Sequence, residues 1–410
     1  MTVIAPLRRQ RRRMVLFGIA ILAATGPGAW AAWPRGSALG HSGGSIGGTV
    51  EHSGGGAVRL REIDDVGSSG GVTWVVNGRG IWLTSDAGRT WRRSVPPDLA
   101  ERGVAPGLIS DVQFVDRQHG WMSVMLDADP SSLAQGGHHF EIDRTTDGGR
   151  TWHWSLPPGC FATCGSATID FLDARHGYAL AWWVAVRDRR SGLKLFRTDD
   201  GGRTWRLVSR PSVGGQIAFL DDREGFVVET QALPGLLGIP EPALLSHTTD
   251  GGRTWSRYRI PPHSHWLQVP FARFGRRLVV AGLASHHVNG PNAFYASDDG
   301  GEHWSLRAPP RHLRLLTSFS AGSPRMWALS SVRVLYVTRD AGRTWRKIDL
   351  RGLPASVGLQ KIVFSSSRVG WALLGPRGLG WRGSLIRTTD GGRHWAPAGP
   401  RLPRHTATRG

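Results

Sequence analysis

The sequence predicts an all-β protein, a seven-bladed β-propeller of four-stranded antiparallel blades, and three observations support this prediction. The first is composition: the chain has 410 residues, of which 56 are Gly and 19 are Trp, while only 20% are charged. A Gly-rich, apolar chain with few charges is typical of many short strands joined by tight turns, and it excludes a coiled coil. The other two observations are a repeated turn motif and a repeated order of strands around it.

A short turn motif recurs seven times along the chain. Each copy begins with Ser or Thr, has Asp two residues later and then two small residues, and ends with Trp five residues after the Asp. The aspartates lie about 51 residues apart on average, and a period of this length is typical of propellers and solenoids. The Asp and Trp of the seven copies are Asp86 and Trp91, Asp147 and Trp152, Asp200 and Trp205, Asp250 and Trp255, Asp299 and Trp304, Asp340 and Trp345, and Asp390 and Trp395.

Four apolar runs accompany each copy of the motif. The first run ends in Phe, as at Phe114, and a turn then leads to Gly and an aromatic residue, as at Gly120 and Trp121. A third run precedes the repeated turn, and the Trp of the turn opens a fourth run. Seven copies of four short strands predict seven four-stranded blades over residues 57–400.

We interpret the seven aspartates as structural residues. An Asp beside two glycines can accept backbone N–H bonds across a hairpin, the glycines supply positive φ angles, and the Trp can pack its indole between blades. The alternative is acid–base or metal chemistry by seven carboxylates. It is disfavoured because each carboxylate would lie on a different blade.

The N-terminus has the anatomy of an export signal. Basic residues from Arg8 to Arg13 precede an apolar stretch, Met14 to Ala24, and Ala29-Trp30-Ala31 supplies small residues where a signal peptidase cleaves. We therefore predict a signal peptide at 1–31, a Gly/Ser-rich linker at 32–56 and a basic tail at 401–410. An uncleaved anchor and a twin-arginine route remain open alternatives. In each case we expect the folded part outside the cytoplasm, in the periplasm or another extracytoplasmic space.

The charge balance indicates what kind of partner the protein binds. The formal charge is +20, from 51 basic and 31 acidic residues, and a basic surface favours anionic partners. Since export disfavours nucleic acid, we expect a monomer that binds an acidic or membrane-associated protein client, or an anionic membrane surface. An oxidising compartment also predicts a disulfide between Cys160 and Cys164, because two cysteines cannot complete a tetrahedral zinc site. No cofactor and no metal site is predicted.

The repeated turns resemble the Asp-boxes of sialidase-like propellers, which are structural turns at the blade periphery. The fuller unit, from the Phe of the first run to the Trp of the turn, resembles the photosystem II stability and assembly factor family over about residues 57–400. That resemblance implies an exported, non-catalytic scaffold that holds a membrane-protein subunit during assembly of a complex, in the thylakoid lumen if the host is photosynthetic. Two repeats depart from the pattern: the fifth has Phe271 to Arg277 in place of Gly-Trp and carries Glu302-His303, and the sixth lacks the Asp after Phe319.

An exported glycoside hydrolase of the Asp-box type is the alternative function. Tyr258-Arg259-Ile260-Pro261 matches a sialidase motif, but it follows the fourth Asp-box and aligns with the fourth strand of the other repeats. Such an enzyme needs two carboxylates about 5–9.5 Å apart in the central cleft. Asp127, Asp129 and Glu141, which we expect in one loop, are the candidates.

Two surfaces are candidates for binding the partner. One face of the propeller is expected to carry insertions in blades two to five, at Met125–Glu141, Val184–Gly192, Ala232–Pro242 and Ala284–Asn292. It includes a basic hairpin tip with Arg187, Arg189 and Arg190, and four histidines (His263, His265, His286 and His287) that lack the carboxylate support of a metal site. The opposite face is expected to carry a ring of six arginines, one beside each Asp-box except the fifth: Arg89, Arg150, Arg203, Arg253, Arg343 and Arg393.

Overall fold

The structure, a computed structural model, describes most of the chain from residue 57 to residue 403. Within that range it leaves out 60–62, 78–79, 95–108, 127–138, 161–163, 186–189, 213, 230–243, 260–265, 284–291, 312, 314–315, 332, 351–356 and 377–382. The predicted signal peptide, the linker and the last seven residues of the predicted tail lie outside the described residues. So do the four histidines and most of the predicted insertions.

The described residues form thirty strands, and the first, β1 (Ala57–Arg59), precedes the blades. Blade 1 consists of β2 (Asp65–Ser69), β3 (Val72–Asn77), β4 (Gly80–Thr84) and β5 (Arg92–Ser94). Blade 2 consists of β6 (Ile109–Phe114), β7 (Gly120–Leu126), β8 (His139–Thr145) and β9 (His153–Ser155). Blade 3 consists of β10 (Cys164–Phe171), β11 (Gly177–Ala185), β12 (Arg190–Thr198) and β13 (Arg206–Ser209).

The remaining strands continue the same order. Blade 4 consists of β14 (Gly215–Phe219), β15 (Gly225–Glu229), β16 (Leu244–Thr248) and β17 (Ser256–Arg259), and blade 5 of β18 (Trp266–Phe274), β19 (Arg277–Leu283), β20 (Asn292–Ser297) and β21 (Ser305–Arg307). Blade 6 consists of β22 (Ser318–Ala321), β23 (Trp327–Ser331), β24 (Val334–Thr338) and β25 (Arg346–Asp349). Blade 7 consists of β26 (Val357–Phe364), β27 (Gly370–Pro376), β28 (Ser384–Thr388) and β29 (Ala396–Pro397), and β30 (Arg401–Pro403) follows it.

Each blade is one antiparallel sheet in which every strand pairs with its neighbour in the sequence. The predicted fold class, a seven-bladed propeller of four-stranded antiparallel blades, is therefore confirmed. Within the described part of the chain, no helix has the length and apolar character needed to span a membrane.

The two ends of the propeller pair with each other. β1 pairs antiparallel with β30, and Ile63 of blade 1 forms a β-bridge with Gly383 of blade 7. Both backbone bonds of that bridge have N···O distances of 3.0 Å. Residues 401–403, which we predicted as the start of a basic tail, instead form a strand that links the last blade to the first.

Aromatic stacking between blades explains the repeated Gly-aromatic pair. The Trp121 ring of blade 2 stacks on Phe171 of blade 3 with 3.6 Å between ring centroids, and Tyr178 of blade 3 stacks on Phe219 of blade 4 at 3.5 Å. The glycine is needed because the Phe of its own blade lies against it: a Cβ at Gly120 would lie 2.4 Å from the Phe114 ring. The repeated residues thus form the core between blades, where aromatic side chains bury large areas.

Candidate functional site

All seven Asp-boxes have the same hydrogen-bond geometry. In blade 3, Asp200 accepts bonds from the Thr198 hydroxyl (2.8 Å), the Thr204 backbone N–H (2.9 Å) and the Thr204 hydroxyl (2.6 Å). The Thr198 oxygen in turn accepts the N–H of Gly202, at 2.8 Å. Each carboxylate is therefore occupied by its own turn, and the same bonds recur at Asp86, Asp147, Asp250, Asp299, Asp340 and Asp390.

These bonds keep the box carboxylates ionised. Burial by itself would raise the pKa of Asp200, but the hydrogen bonds from Thr204 and Thr198 outweigh burial and lower the pKa to about 2. Opposing contributions of the same kind lower the pKa of Asp86, Asp250 and Asp340 to about 2. A carboxylate with so low a pKa and so many donors is a poor general acid or base.

The fifth box departs from the common sequence without losing the turn. His303 stands where most boxes have Thr, and its Nδ1 lies 2.7 Å from the Asp299 Oδ2. The ring nitrogen thus takes the place of the threonine hydroxyl. Box seven makes the same substitution with His394, at 2.6 Å from Asp390.

The box tryptophans pack where the structural interpretation expects them, at the seams between blades. The Trp152 indole N–H of blade 2 donates to the Ser94 hydroxyl of blade 1 at 2.8 Å, and Trp205 of blade 3 donates to Ser155 of blade 2 at 3.0 Å. Trp91 of blade 1 contacts Trp371 of blade 7 edge to face, with 5.5 Å between ring centroids. In the connection from blade 2 to blade 3, Cys160 and Cys164 are buried and bonded to each other as a disulfide.

The Asp-boxes share one end of the propeller with the inner turns, which join the first and second strands of each blade. We call this end the Asp-box face. In blades 2 to 7 a box N–H donates to an inner-turn carbonyl, for example Gly201 to Arg175 at 2.7 Å and Ala341 to Arg325 at 2.9 Å. Because each inner turn is bonded to the box of its own blade, the two sets of turns form one continuous surface.

That surface carries two concentric rings of arginines. The outer ring is the predicted set beside the boxes, and all six members are exposed: Arg89, Arg150, Arg203, Arg253, Arg343 and Arg393. The inner ring lies on the inner turns, is also exposed, and was not predicted: Arg117, Arg175, Arg223, Arg276, Arg325 and Arg368. The inner ring could have been predicted from the sequence, since each inner turn except that of blade 1 contains an Arg.

Charge on the Asp-box face is unevenly distributed. The inner turns of blades 2 to 4 balance their arginines with Asp116, Asp173, Asp221, Asp222 and Glu224. In blades 6, 7 and 1 the only carboxylates among the described residues of this face are those of the boxes, Asp340, Asp390 and Asp86. We call the arginines of these three blades the basic sector: Arg325, Arg339, Arg343, Arg368, Arg387, Arg393 and Arg89.

The central channel holds two carboxylates that the sequence analysis did not single out, a buried one at Asp170 and a partly buried one at Asp111. Asp111 of β6 accepts backbone N–H bonds from Val112 (2.9 Å) and from Ile169 of blade 3 (3.0 Å). Asp170 of β10 accepts the N–H of Phe219 of blade 4 at 2.6 Å, and both Arg273 terminal nitrogens lie 3.3 Å from its carboxylate oxygens. Both residues therefore connect neighbouring inner strands.

Burial sets the protonation of these two groups. It raises the pKa of Asp111 to about 7, helped by the charge of Asp170 and opposed by the Ile169 and Val112 N–H groups and by Lys361. Burial also raises the pKa of Asp170, against the opposing charge of Arg273. A carboxyl group whose pKa lies near 7 is suited to proton transfer at neutral pH. Here, however, both groups accept backbone N–H bonds that hold neighbouring blades together.

Several predicted site residues fall elsewhere or outside the described residues. Glu141, expected in a loop, is instead buried in β8, at 3% exposure. The insertion expected at 184–192 is mostly a longer hairpin, since β11 runs to Ala185 and β12 begins at Arg190. Tyr258 and Arg259 lie in β17, the fourth strand of blade 4, as the alignment of the repeats predicted, while Ile260 and Pro261 lie outside the described residues. Asp127, Asp129, Arg187 and Arg189 lie outside the described residues, as does the side chain of Arg190.

Comparison with known proteins extends this description. No family model matches the chain. The chain is 27% identical over 230 residues to "Photosystem II assembly lipoprotein Ycf48" of Synechococcus sp. (strain CC9902). The match covers 54% of this chain and 58% of the relative, so the chain spans less than two thirds of that protein.

Solved structures share the fold at lower identity. A structure described as YCF48 bound to D1 peptide matches with a TM-score of 0.50 and 19% identity, over 82% of this chain and 96% of the other. YCF48 from Cyanidioschyzon merolae matches with 0.50 and 16%, over 81% and 96%. The GH74 enzyme of Niastella koreensis matches with 0.57 and 13%, over 84% of this chain but only 55% of the enzyme. The predicted resemblance to photosystem II assembly factors is therefore confirmed, because this chain is similar to Ycf48 in sequence and shares its fold.

Proposed function

We propose that this protein is an exported, non-catalytic scaffold that binds an acidic segment of a protein partner and aids the assembly or stability of a membrane-associated complex. The observation that carries the proposal is the sequence similarity to Ycf48, a protein named for photosystem II assembly. A YCF48 structure is described as bound to a D1 peptide, so a propeller of this fold holds a peptide. Whether the partner here belongs to a photosystem depends on the host.

The basic sector is the surface that we propose for docking. Its arginines lie on three adjacent blades. The only carboxylates beside them on the described surface accept hydrogen bonds from their own turns. Arginine pairs with carboxylates through two parallel hydrogen bonds, and a patch of one sign raises the association rate of an oppositely charged partner. An acidic protein segment fits this surface best.

A glycoside hydrolase is the second candidate, and the geometry does not favour it. The likeness to the GH74 enzyme is one of fold, at 13% identity. Asp111 and Asp170 are carboxylates of the inner strands, and their oxygens accept backbone N–H groups of neighbouring strands. Such bonds account for both residues without a sugar substrate.

The proposal is tested by crosslinking and co-isolation from the native membrane fraction. The double variant Arg325→Glu/Arg368→Glu reverses two exposed charges of the basic sector, while Arg175→Glu/Arg223→Glu makes the same change at equivalent turns of blades 3 and 4. We expect partner recovery to fall at least fivefold for the first variant and less than twofold for the second. We also expect 0.5 M NaCl to weaken the wild-type complex, because salt screens exposed charges.

Three outcomes would contradict the proposal. Equal partner recovery with both variants would exclude the basic sector as the docking surface. Loss of the partner on deletion of 230–243 and 284–291 would instead indicate docking on the opposite face. Turnover of a glycoside by the purified protein would favour the hydrolase.

A further inference from the structure

Blades 1 and 5 have the shortest inner turns, of two residues each, and blade 1 differs from all the other blades in how this turn contacts its Asp-box. In blades 2 to 7 a box N–H bonds to an inner-turn carbonyl, as from Gly148 to Gln118 in blade 2 and from Gly391 to Arg368 in blade 7. In blade 1 the inner strands are joined by Gly70 and Gly71 alone, and the described residues contain no equivalent bond from Ala87. Among the described residues, the first box therefore lacks the bond to its inner turn that the other six boxes make.

A cavity of about 590 Å³ lies at the first box and the inner turn of blade 1. Its walls come from three blades: the box and inner turn of blade 1, Arg117 of blade 2, and the third strand and inner turn of blade 7. This volume is within the range of small-molecule sites, which is about 300–1,000 Å³.

Three arginines from different blades line the cavity. Arg387 of blade 7 is half-buried, with its guanidinium 5.9 Å from the centroid of the Trp371 ring and Nη1 bonded to the Ala87 carbonyl. Arg117 of blade 2 lies over the short turn, since a Cβ at Gly71 would be 3.6 Å from its Cγ and Nε. Arg89 projects from the box itself. A guanidinium carries five N–H donors, so the bond to Ala87 fixes Arg387 and leaves donors for a ligand.

The only carboxylate in the cavity lining is already occupied. Asp86 accepts bonds from the Thr84 hydroxyl, the Thr90 N–H and the Thr90 hydroxyl. The cavity thus combines three cations with one internally bonded anion, and the hydroxyl-bearing residues Ser85 and Thr389 also line it.

We propose that this cavity binds a phosphate monoester. A phosphate group has three acceptor oxygens and a charge of about −1.5 to −2 at pH 7, which matches the three arginines that line the cavity from three blades. A carboxylate offers two oxygens and one charge. The cavity also has room for the organic group that the phosphate carries, and its formation does not depend on a protein partner.

Binding of glycerol 3-phosphate to the purified exported chain, measured by calorimetry in a buffer free of other oxyanions, tests the proposal. We expect saturable binding, a fall in affinity of at least tenfold for Arg117→Ala and for Arg387→Gln, and less than a twofold change for Arg175→Ala. Arg175 is the matched control, because it is an exposed inner-turn arginine of blade 3 that does not line this cavity. Arg117 is exposed, so its variant preserves the fold even if Arg387→Gln does not.

Each result of these experiments has a distinct interpretation. Equal affinity for Arg117→Ala and Arg175→Ala, or no heat beyond that of sodium chloride at the same ionic strength, would overturn the proposal. Flotation with vesicles containing phosphatidic acid then distinguishes two sources of the same group. Vesicle binding that requires Arg117 assigns a lipid headgroup, and binding of glycerol 3-phosphate alone assigns a soluble ligand.

Discussion

Single carboxylates have two contrasting roles in this propeller, and the balance between hydrogen bonding and burial decides which. The box aspartates lie near the surface, where donors from their own turns lower the pKa, to about 2 at Asp200. Asp111 lies in the channel, where burial raises the pKa to about 7 despite two backbone N–H bonds. The same side chain therefore stabilises the fold in different pH ranges.

Replacing a box aspartate should destabilise the protein modestly at neutral pH. We expect Asp200→Ala to lower the free energy of unfolding by about 1 kcal/mol, since three hydrogen bonds of a partly exposed turn are lost. The folded-state pKa lies below the unfolded value, so this contribution is present above about pH 4 and disappears as the pH falls through about 2.

Urea denaturation at pH 7 and at pH 2 measures the effect. The exposed Asp222→Ala in the neighbouring blade is the control and should change stability by less than about 0.5 kcal/mol at either pH. An Asp200→Ala variant as stable as wild type at pH 7 would show that the box bonds are dispensable.

Asp111 should produce a pH dependence of opposite sign. The folded-state pKa of Asp111, about 7, exceeds the unfolded value of about 3.9. The contribution of Asp111 to stability is therefore greatest below about pH 4 and declines as the pH rises to 7. We expect Asp111→Asn to remove much of this decline, which is on the order of 1–4 kcal/mol across the range. Asp170, whose pKa is also raised, leaves a residual slope.

The measurement is the urea midpoint of wild type and Asp111→Asn at pH 5, 6, 7 and 8. Equal slopes for the two proteins would mean that Asp111 titrates as it does in the unfolded chain.

At the scale of turns and strands, glycines are required where a blade meets its neighbour. Gly252 of the fourth box has a φ of +85°, and a Cβ there would lie 2.3 Å from Leu195 Cδ2 of blade 3. Gly275 in blade 5 also has positive φ, at +59°, but a Cβ there would have no atom within 4 Å. Both glycines therefore have a positive φ angle, but only Gly252 is crowded by a side chain of the adjacent blade.

This pair separates the two costs of replacing a glycine. We expect Gly275→Ala to cost about 1 kcal/mol through its backbone conformation. Gly252→Ala should cost a further 1–3 kcal/mol or so through overpacking against the adjacent blade. Thermal or urea unfolding of both variants gives the difference, and equal destabilisation would show that Leu195 moves aside without cost.

The sequence predicts these elements well because each repeat carries its own strand and turn signals. Box residues are four or five positions apart, so their pattern is visible without knowing the fold. Channel contacts are different: Asp111 and Ile169 are 58 residues apart, and Asp170 and Phe219 are 49 apart. The residue that accepts the next blade's N–H also varies, from Ser69 to Gln113 to Asp170 to Ser320, so no repeated letter marks it.

Across the whole molecule, two features follow only from placing seven similar blades side by side. The inner ring of arginines and the charge asymmetry between blades 2 to 4 and blades 6, 7 and 1 depend on which turns share a face. The cavity at the first box lies where the inner turn of blade 1, unlike those of the other six blades, makes no described bond to its box. Differences between repeats, rather than the repeat itself, therefore distinguish one part of the Asp-box face from another.

The charge differences between the blades are consistent with the proposed function. Blades that balance their charges maintain a soluble surface, while the basic sector offers uncompensated guanidiniums to an acidic partner. The surface is polar and needs no exposed apolar groove, which is consistent with a partner that associates transiently during assembly.

The most direct test of this account is the position of the partner on the propeller. Crosslinking of the tagged protein in its native membrane fraction, followed by mass spectrometry with a carboxylate- and arginine-reactive reagent, identifies which blades contact the partner. We expect crosslinks from acidic residues of one membrane-associated protein to Arg325, Arg339 and Arg368, and loss of the Arg339 crosslink in Arg325→Glu/Arg368→Glu, where the other two reactive groups are absent. Crosslinks confined to the opposite face, or an Arg339 crosslink unchanged in that variant, would contradict the proposed docking surface.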